Sequence, residues 1–278
     1  MFRLFLVASL LLTALSSAAA AQSRRPSHCI AIAESAPGLS FIQDASFEAP
    51  VPQDTVRITY IDHSMLLIQT EGGLSVVTDY AGYLGTSEFV PDVVTMNNAH
   101  DSHWTAFPDP DIPYVLKGWP RDGVAAAHYL DLGEMLIRNV PTDIRNRFGG
   151  EPIRDGNSIF VFEVAGLCIG HLGHLHQEPN AEQYAALGRL DVVMAAVDGG
   201  LTLDIATMTR VLKRLRASVV IPMHWFGRTT LDRFLLAMSD SFDIQSTGES
   251  ALEVSLRSLP SRPTVLVLEP RFLPEYQE

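Results

Sequence analysis

Thr95-Met96-Asn97-Asn98-Ala99-His100-Asp101-Ser102-His103-Trp104 sets two histidines three residues apart directly after an apolar run, Val90 to Met96. A loop leaving the end of a buried strand can aim closely spaced imidazoles at one point, and neutral imidazole is the commonest protein ligand for zinc and similar ions. Such a pair alone is weak, since loop histidines are commonly solvated or hydrogen-bonded. The other histidines strengthen it. Ile159-Phe-Val-Phe-Glu-Val leads through Gly166-Leu-Cys-Ile-Gly to His171, His174 and His176, and Val219-Val-Ile-Pro-Met delivers His224. Short β-branched runs bounded by Gly or Pro are strand signals. When several strands of one layer each end in histidine, ligands far apart in sequence meet at one edge.

Outward from these runs, strand signals crowd residues 55–80 and recur at Val124 to Leu130, Glu134 to Val140 and Ser158 to Ile169. Helical patterns lie at Glu178 to Leu187, Asp204 to Arg216 and Thr230 to Met238. The Asp204 segment opens on an acidic N-cap and closes on Lys213, Arg214 and Arg216, matching the helix dipole at both ends. Mixed strands and helices in this order fit an α/β sandwich of two sheets with helices outside. The Pro-rich connection from Phe107 to Pro113 reads as irregular surface near the mouth of the site, and no repeat of fixed period is present.

At the N-terminus, Met1-Phe-Arg, the apolar stretch Leu4 to Ala14 and the small residues Ser16 to Ala21 have the layout of a secretory signal peptide. Cleavage after Ala21 would leave 257 of the 278 residues, one domain with a full core, in a periplasmic or secreted protein. The stretch Leu4 to Ala14 is too short for a stable membrane span, and no later run reaches the ~20 apolar residues a membrane helix needs. Residues 22–53 read as a leader segment that packs against the domain or frays, and 54–278 as the domain. The charge of −12 excludes nucleic acid as a partner class and leaves a small-molecule substrate. An oxidising compartment permits a bridge between the two cysteines, Cys29 and Cys168. Cys168 sits mid-strand in an apolar run, however, where a buried free thiol is the expected state.

The pattern resembles the metallo-β-lactamase superfamily, and within it the branch of L-ascorbate-6-phosphate lactonase and related phospholipase-like enzymes. The resemblance spans about Thr55 to Pro270. It rests on Ile58-Thr-Tyr-Ile-Asp-His-Ser, similar to the family's Gly-His-Ala/Ser element, on Val76-Val-Thr-Asp-Tyr, Pro91-Asp-Val-Val-Thr, Gly156-Asn-Ser, His171-Leu-Gly, Val197-Asp-Gly-Gly and Ile221-Pro-Met-His. It implies a four-layer αββα sandwich of two mixed β-sheets flanked by helices. It also implies a metal-dependent hydrolase in which an ion activates water on an ester, lactone or phosphoester.

The metal motif departs from the family's His-x-His-x-Asp-His, which here becomes Asn98-x-His100-x-Ser102-His103. The later family His falls near Asp143, and the bridging Asp of His-x-Gly-Asp is replaced by His174. The expected ligands are therefore His100, His103, His174 and His224, with Asn98 as a weaker donor and His176 in reserve. They would hold a single zinc ion, or iron, manganese or another divalent transition metal. His171 is expected to pack or hydrogen-bond. Ser102 cannot serve as a base, so Asp143, Asp198 or Asp101 would replace the loop Asp. His63, in the place of the Gly-His-Ala histidine, would orient substrate or support a ligand. Asp79 is expected to pin a loop. Two other readings stay open: an inactive member whose cleft binds a ligand or protein, and a periplasmic metal-binding protein.

Overall fold

The computed structural model describes residues 25–31, 46–100 and 102–274. The expected signal segment 1–21, Asp101 and all of 32–45 lie outside them. In chain order the elements are α1 (His28–Ala31), β1 (Val56–Asp62), β2 (Met65–Thr70), β3 (Ser75–Val77), β4 (Val93–Met96), β5 (Tyr114–Lys117), β6 (Tyr129–Asp131), β7 (Met135–Ile144), β8 (Ile153–Val164) and β9 (Leu167–His171). They continue with α2 (Ala181–Leu187), β10 (Val192–Ala196), α3 (Ile205–Leu215), β11 (Val219–Met223), α4 (Arg228–Met238), β12 (Asp243–Ser246), β13 (Ala251–Val254) and β14 (Thr264–Val267).

The strands form two mixed sheets, six-stranded in the order β13-β1-β2-β3-β4-β5 and eight-stranded in the order β12-β14-β11-β10-β9-β8-β7-β6. Their inner faces meet in one apolar layer, in which Ile58, Tyr60 and Leu66 oppose Phe160, Phe162 and Ile221. β10 and β11 are buried along their whole length. Continuous Val/Ile/Met runs suit a central parallel strand covered on both faces. All four helices, α1 included, add residues to the cluster on the outer face of the eight-stranded sheet. The outer face of the six-stranded sheet is covered instead by loops through Phe47, Leu84, Ile112 and Leu273. There Trp104 and Trp119 pack edge-to-face, 5.6 Å apart.

Helix α3 carries the expected caps: Asp204 accepts from the Thr207 amide, and Arg216 closes the helix in the left-handed region. Two strand readings change. The run from Ser158 to Ile169 is a hairpin rather than one strand, turning at Ala165 and Gly166, both with positive φ, so that Val164 faces Leu167. Such a two-residue turn matches the right-handed twist of its strands. Val124 to Leu130 supplies only the start of β6, because Arg121 and Val124 bond each other in a turn ahead of it.

The cysteine reading is also corrected: Cys29 and Cys168 form a disulfide. The bridge, with the Ser27 hydroxyl and the His28 amide donating to buried Glu163, holds the described start of the leader against β8 and β9. Glu163 in turn accepts from Arg138 at 2.7 Å. In the other sheet, buried Arg57 donates to Glu253 and to the carbonyls of Ala49 and Pro50, seating residues 46–51. His28 and His128 serve as structural groups, near the carbonyls of Leu167 and Lys117.

Candidate metal centre

The site forms where strands of both sheets end on one side. β1 runs into His63, β3 into Asp79, β4 into Asn98, His100 and His103, β9 into His174 and His176, β10 into Asp198 and β11 into His224. The parallel neighbours β9, β10 and β11 necessarily finish on one edge, where open sheets of this kind place their sites. The two sheets are clasped there: the His224 amide donates to the His63 carbonyl at 2.8 Å and the Ser158 amide to the Asn97 carbonyl at 3.0 Å. His63 and His224 both hold left-handed backbone, φ 46° and 58°, which turns them sharply off their strands.

His103 is buried, and its Nδ1 lies 2.7 Å from Asp79 Oδ2 and 3.1 Å from Ser64 Oγ. Asp79 also accepts from the Asn97 amide at 2.8 Å. It thus pins the loop, as expected, and also orients the His103 ring. Burial raises Asp79, against His171, the Asn97 amide and Ser64, which favour its charged form; as a carboxylate it only accepts, which puts the His103 proton on Nδ1 and turns the Nε2 lone pair outward. His224 repeats the arrangement: its Nδ1 stands 3.0 Å from Asp198 Oδ2, a contact bent away from in-line hydrogen-bond geometry. Burial alone would raise Asp198. The His224 contact, the Thr202 hydroxyl and the amides of Thr202 and Gly200 nevertheless hold it well below the usual carboxylate range.

The two Nε2 atoms so exposed face each other at 3.1 Å. His63 closes the group: its ring centre is 3.9 Å from that of His224, and its buried Nε2 has no hydrogen-bond partner among the described residues. Ligand nitrogens of His63, His103 and His224 all lie within 4.8 Å of one another. Burial, then the neighbouring rings, push His63 down to about 3 and His103 well below its ordinary value, keeping both neutral. The donors fit a transition ion. Two nitrogens on one tetrahedral zinc stand about 3.3 Å apart, given bonds of about 2.0–2.1 Å, and a carboxylate behind a ligating imidazole is the usual support.

The expected four-histidine set is therefore only partly assembled. His103 and His224 come together, with His63 as their third member. His100 stacks on His174 at 5.4 Å with its Nδ1 3.3 Å from Ser102 Oγ. The His174 ring lies 4.7 Å from His103, but its Nδ1 is spent on His176 Nε2 at 2.7 Å. Asn98 is buried at the cleft wall, bridged to Asn157 through the backbone. His171 hydrogen-bonds, as expected, to the Ser64 carbonyl and Asn97. Asp143 is not brought to the cluster: its carboxylate accepts from the Asp155 amide at the end of the β7–β8 pair. Asp198 is occupied by the turn and by His224, which suits support rather than base duty.

A cleft of about 1170 Å³ opens over the cluster. His63, His100, His174 and His224 line it on one side, and Phe148, Phe226 and Leu201 form an apolar rim. None of the three tryptophans borders it. Asp62 is the one carboxylate among its described lining residues, and burial raises its pKa. Sequence reasoning missed Asp62 although it directly precedes His63, a place where a strand-end side chain points toward the same edge. Arg145 ties the rim together, its guanidinium donating to the carbonyls of Gly200, Leu201 and Thr202.

A family model described as "Beta-lactamase superfamily domain" matches residues 57–224. Among solved structures, a Thermotoga maritima protein described as a candidate zinc-dependent hydrolase of the metallo-β-lactamase superfamily is 24% identical, with a TM-score of 0.55 over 80% of this chain and 100% of its own. A candidate metal-dependent hydrolase from Parabacteroides distasonis is 16% identical, with a TM-score of 0.54 over 78% and 94%. Igni18, described as a metallo hydrolase from Ignicoccus hospitalis, is 18% identical, with a TM-score of 0.51 over 78% and 96%. At these identities the likeness shows the fold. No curated protein matches the chain.

Proposed function

The chain belongs to the metallo-β-lactamase superfamily, and from that premise we propose that it is a hydrolase using one divalent ion, zinc foremost, held by His63, His103 and His224. The carrying observation is the pair of Nε2 atoms facing each other at 3.1 Å, each backed by a carboxylate, beside the unpartnered Nε2 of His63. When bound, such an ion supplies Lewis-acid polarisation of a carbonyl or phosphoryl oxygen and acidifies water. The three imidazoles would hold it, with Asp79 and Asp198 keeping the rings of His103 and His224 turned and their Nδ1 atoms protonated. Asp62, at the cleft wall, accepts the proton released by the attacking water. Phe148, Phe226 and Leu201 shield the reacting bond from bulk solvent and take up an apolar part of the substrate, an ester, lactone or phosphoester.

The disulfide supports an exported protein, since such bridges persist in oxidising compartments and are rare in the cytosol. Residues 1–21 then act as a signal peptide, and sequencing of secreted protein is expected to begin at Gln22. No helix of the described residues is long and apolar enough to cross a membrane.

The test is metal content by inductively coupled plasma mass spectrometry, together with turnover of a panel of 4-nitrophenyl esters, lactones and phosphodiesters. One equivalent of metal with turnover in wild type, both lost in His63→Ala and His103→Ala, is the expected result. Metal without turnover would point to a binding protein. Absence of both would leave an inactive cleft.

A further inference from the structure

Two hydrogen bonds at the mouth of the site fix the direction of a proton that the ligand reading of His174 requires to lie elsewhere. The Arg145 backbone amide donates to His176 Nδ1 at 2.7 Å. A backbone N–H can only donate, so in neutral His176 the proton sits on Nε2. That Nε2 lies 2.7 Å from His174 Nδ1, which must therefore accept. The proton of His174 is then on its own Nε2, and the ring has no lone pair left to offer there. His103 and His224 are built the opposite way, with carboxylates drawing the proton to Nδ1 and freeing Nε2.

We propose that His174 presents Nε2–H to the cleft as a hydrogen-bond donor to the substrate, with His176 as the positioning residue that sets its tautomer, and that it is not a metal ligand. This rests on the hydrolase reading for its role, and on hydrogen-bond direction alone for its chemistry. Nε2 of His174 has no partner among the described residues, and the ring borders the cleft 4.7 Å from His103 and 5.4 Å from His224. A donor beside the ion site reaches the oxygen on which negative charge develops as a carbonyl or phosphoryl group is attacked. The imidazole keeps its proton throughout. The direction of the Arg145 amide fixes this for the neutral rings.

The backbone is shaped to deliver the ring. The His174 amide donates to Asn157 Oδ1 at 2.8 Å. Gly173 before it has φ 60°, and a Cβ there would meet Asn97 Nδ2 at 2.5 Å and Asn157 Oδ1 at 2.6 Å. Only glycine makes that turn without displacing both side chains.

Long-range proton–nitrogen NMR on the full chain labelled with ¹⁵N-histidine reads the tautomers directly, without and with zinc. His174 Nε2 is expected to be protonated in both states, whereas His103 and His224 Nε2 are unprotonated and shift on adding zinc. An unprotonated His174 Nε2, or one that shifts as a zinc ligand, overturns the proposal. His174→Gln, which retains a donor, is expected to keep one equivalent of zinc; loss of that equivalent also overturns it. In turnover, His174→Leu should lower kcat about 100-fold at nearly constant KM, with partial recovery in His174→Gln; an unchanged kcat removes the donor role. A wild type that binds zinc but hydrolyses nothing would refute the hydrolase reading, while the NMR result still decides where the His174 proton lies.

Discussion

Replacing Asp198 by Asn should disable the ion site without unfolding the protein. Asp198 Oδ1 accepts the amides of Gly200, Leu201 and Thr202 at 2.9, 2.6 and 3.0 Å, and Oδ2 accepts the Thr202 hydroxyl at 2.6 Å beside His224 Nδ1. An amide oxygen preserves the three backbone bonds, so the turn survives. The amide NH₂ now stands where Oδ2 faced His224, and two donors cannot face each other. His224 answers by moving its proton to Nε2, where it bonds the Nε2 of His103, 3.1 Å away. The lone pair needed for the ion is then engaged, and the charge behind it is gone. Loss of a supporting partner of this kind typically costs 10–100-fold in metal affinity, or about 1.4–2.7 kcal/mol. Zinc titration against a chromophoric chelator measures it. The metal-free urea midpoint should fall modestly, since the turn and His224 favour the ionised carboxylate in the folded chain and an Asn there forgoes that preference. A zinc Kd within twofold of wild type would refute the assignment of Asp198 as the support of His224, as would full additivity with His224→Ala in a double-mutant cycle.

Removing the disulfide with Cys29→Ala and Cys168→Ala should destabilise the protein by about 5 kcal/mol in a chain-entropy account of a 139-residue separation; urea unfolding that shows under 1 kcal/mol would mean the described leader adds nothing to the fold. Arg57→Ala strands the carboxylate of Glu253 in the interior and should cost about 3–5 kcal/mol, more than Arg57→Ala with Glu253→Leu, as paired urea melts would show. Metal-free protein should lose stability with acid. His63, His174 and His176 are held, chiefly by burial, at about 3, 2 and 4, below the ordinary 6.5. The unfolded chain therefore binds more protons below 6.5. The contribution is complete above about pH 6.5 and declines from there toward pH 4 and below. A urea midpoint flat between about pH 7 and 4.5 would contradict it.

The strands and helices that frame the site were legible because each carries its own period and punctuation: Val219 to Met223 ends at His224, and Asp204 starts α3 with a side-chain cap. The hairpin at Ala165 was not, since alanine seldom takes positive φ and Ser158 to Ile169 has no Asn-Gly signal. The disulfide escaped because pairing depends on where β9 lies relative to α1, which no local pattern encodes. The convergence of histidines was readable, but their division of labour was not. Whether His63 or His174 completes the ligand set depends on which ring nitrogen each neighbour claims, and Arg145, Asp79 and Asp198 reach those rings only through the folded chain. The loop-covered outer face of the six-stranded sheet was likewise hidden, as loops and helices leave similar apolar demands on the strands beneath.

The link from Cys29 to Cys168 also constrains how the molecule is made. A chain grows, and crosses any channel, from its N-terminus, so Cys29 emerges long before its partner. Until residue 168 follows, that thiol is accessible to any oxidant or foreign thiol it meets. In the folded chain, with the Cys29 segment docked beside it, Cys168 is fully buried. A chain folded under reducing conditions would keep both thiols and hold that first segment by non-covalent contacts such as those of the Ser27 hydroxyl and the His28 and Cys29 backbone.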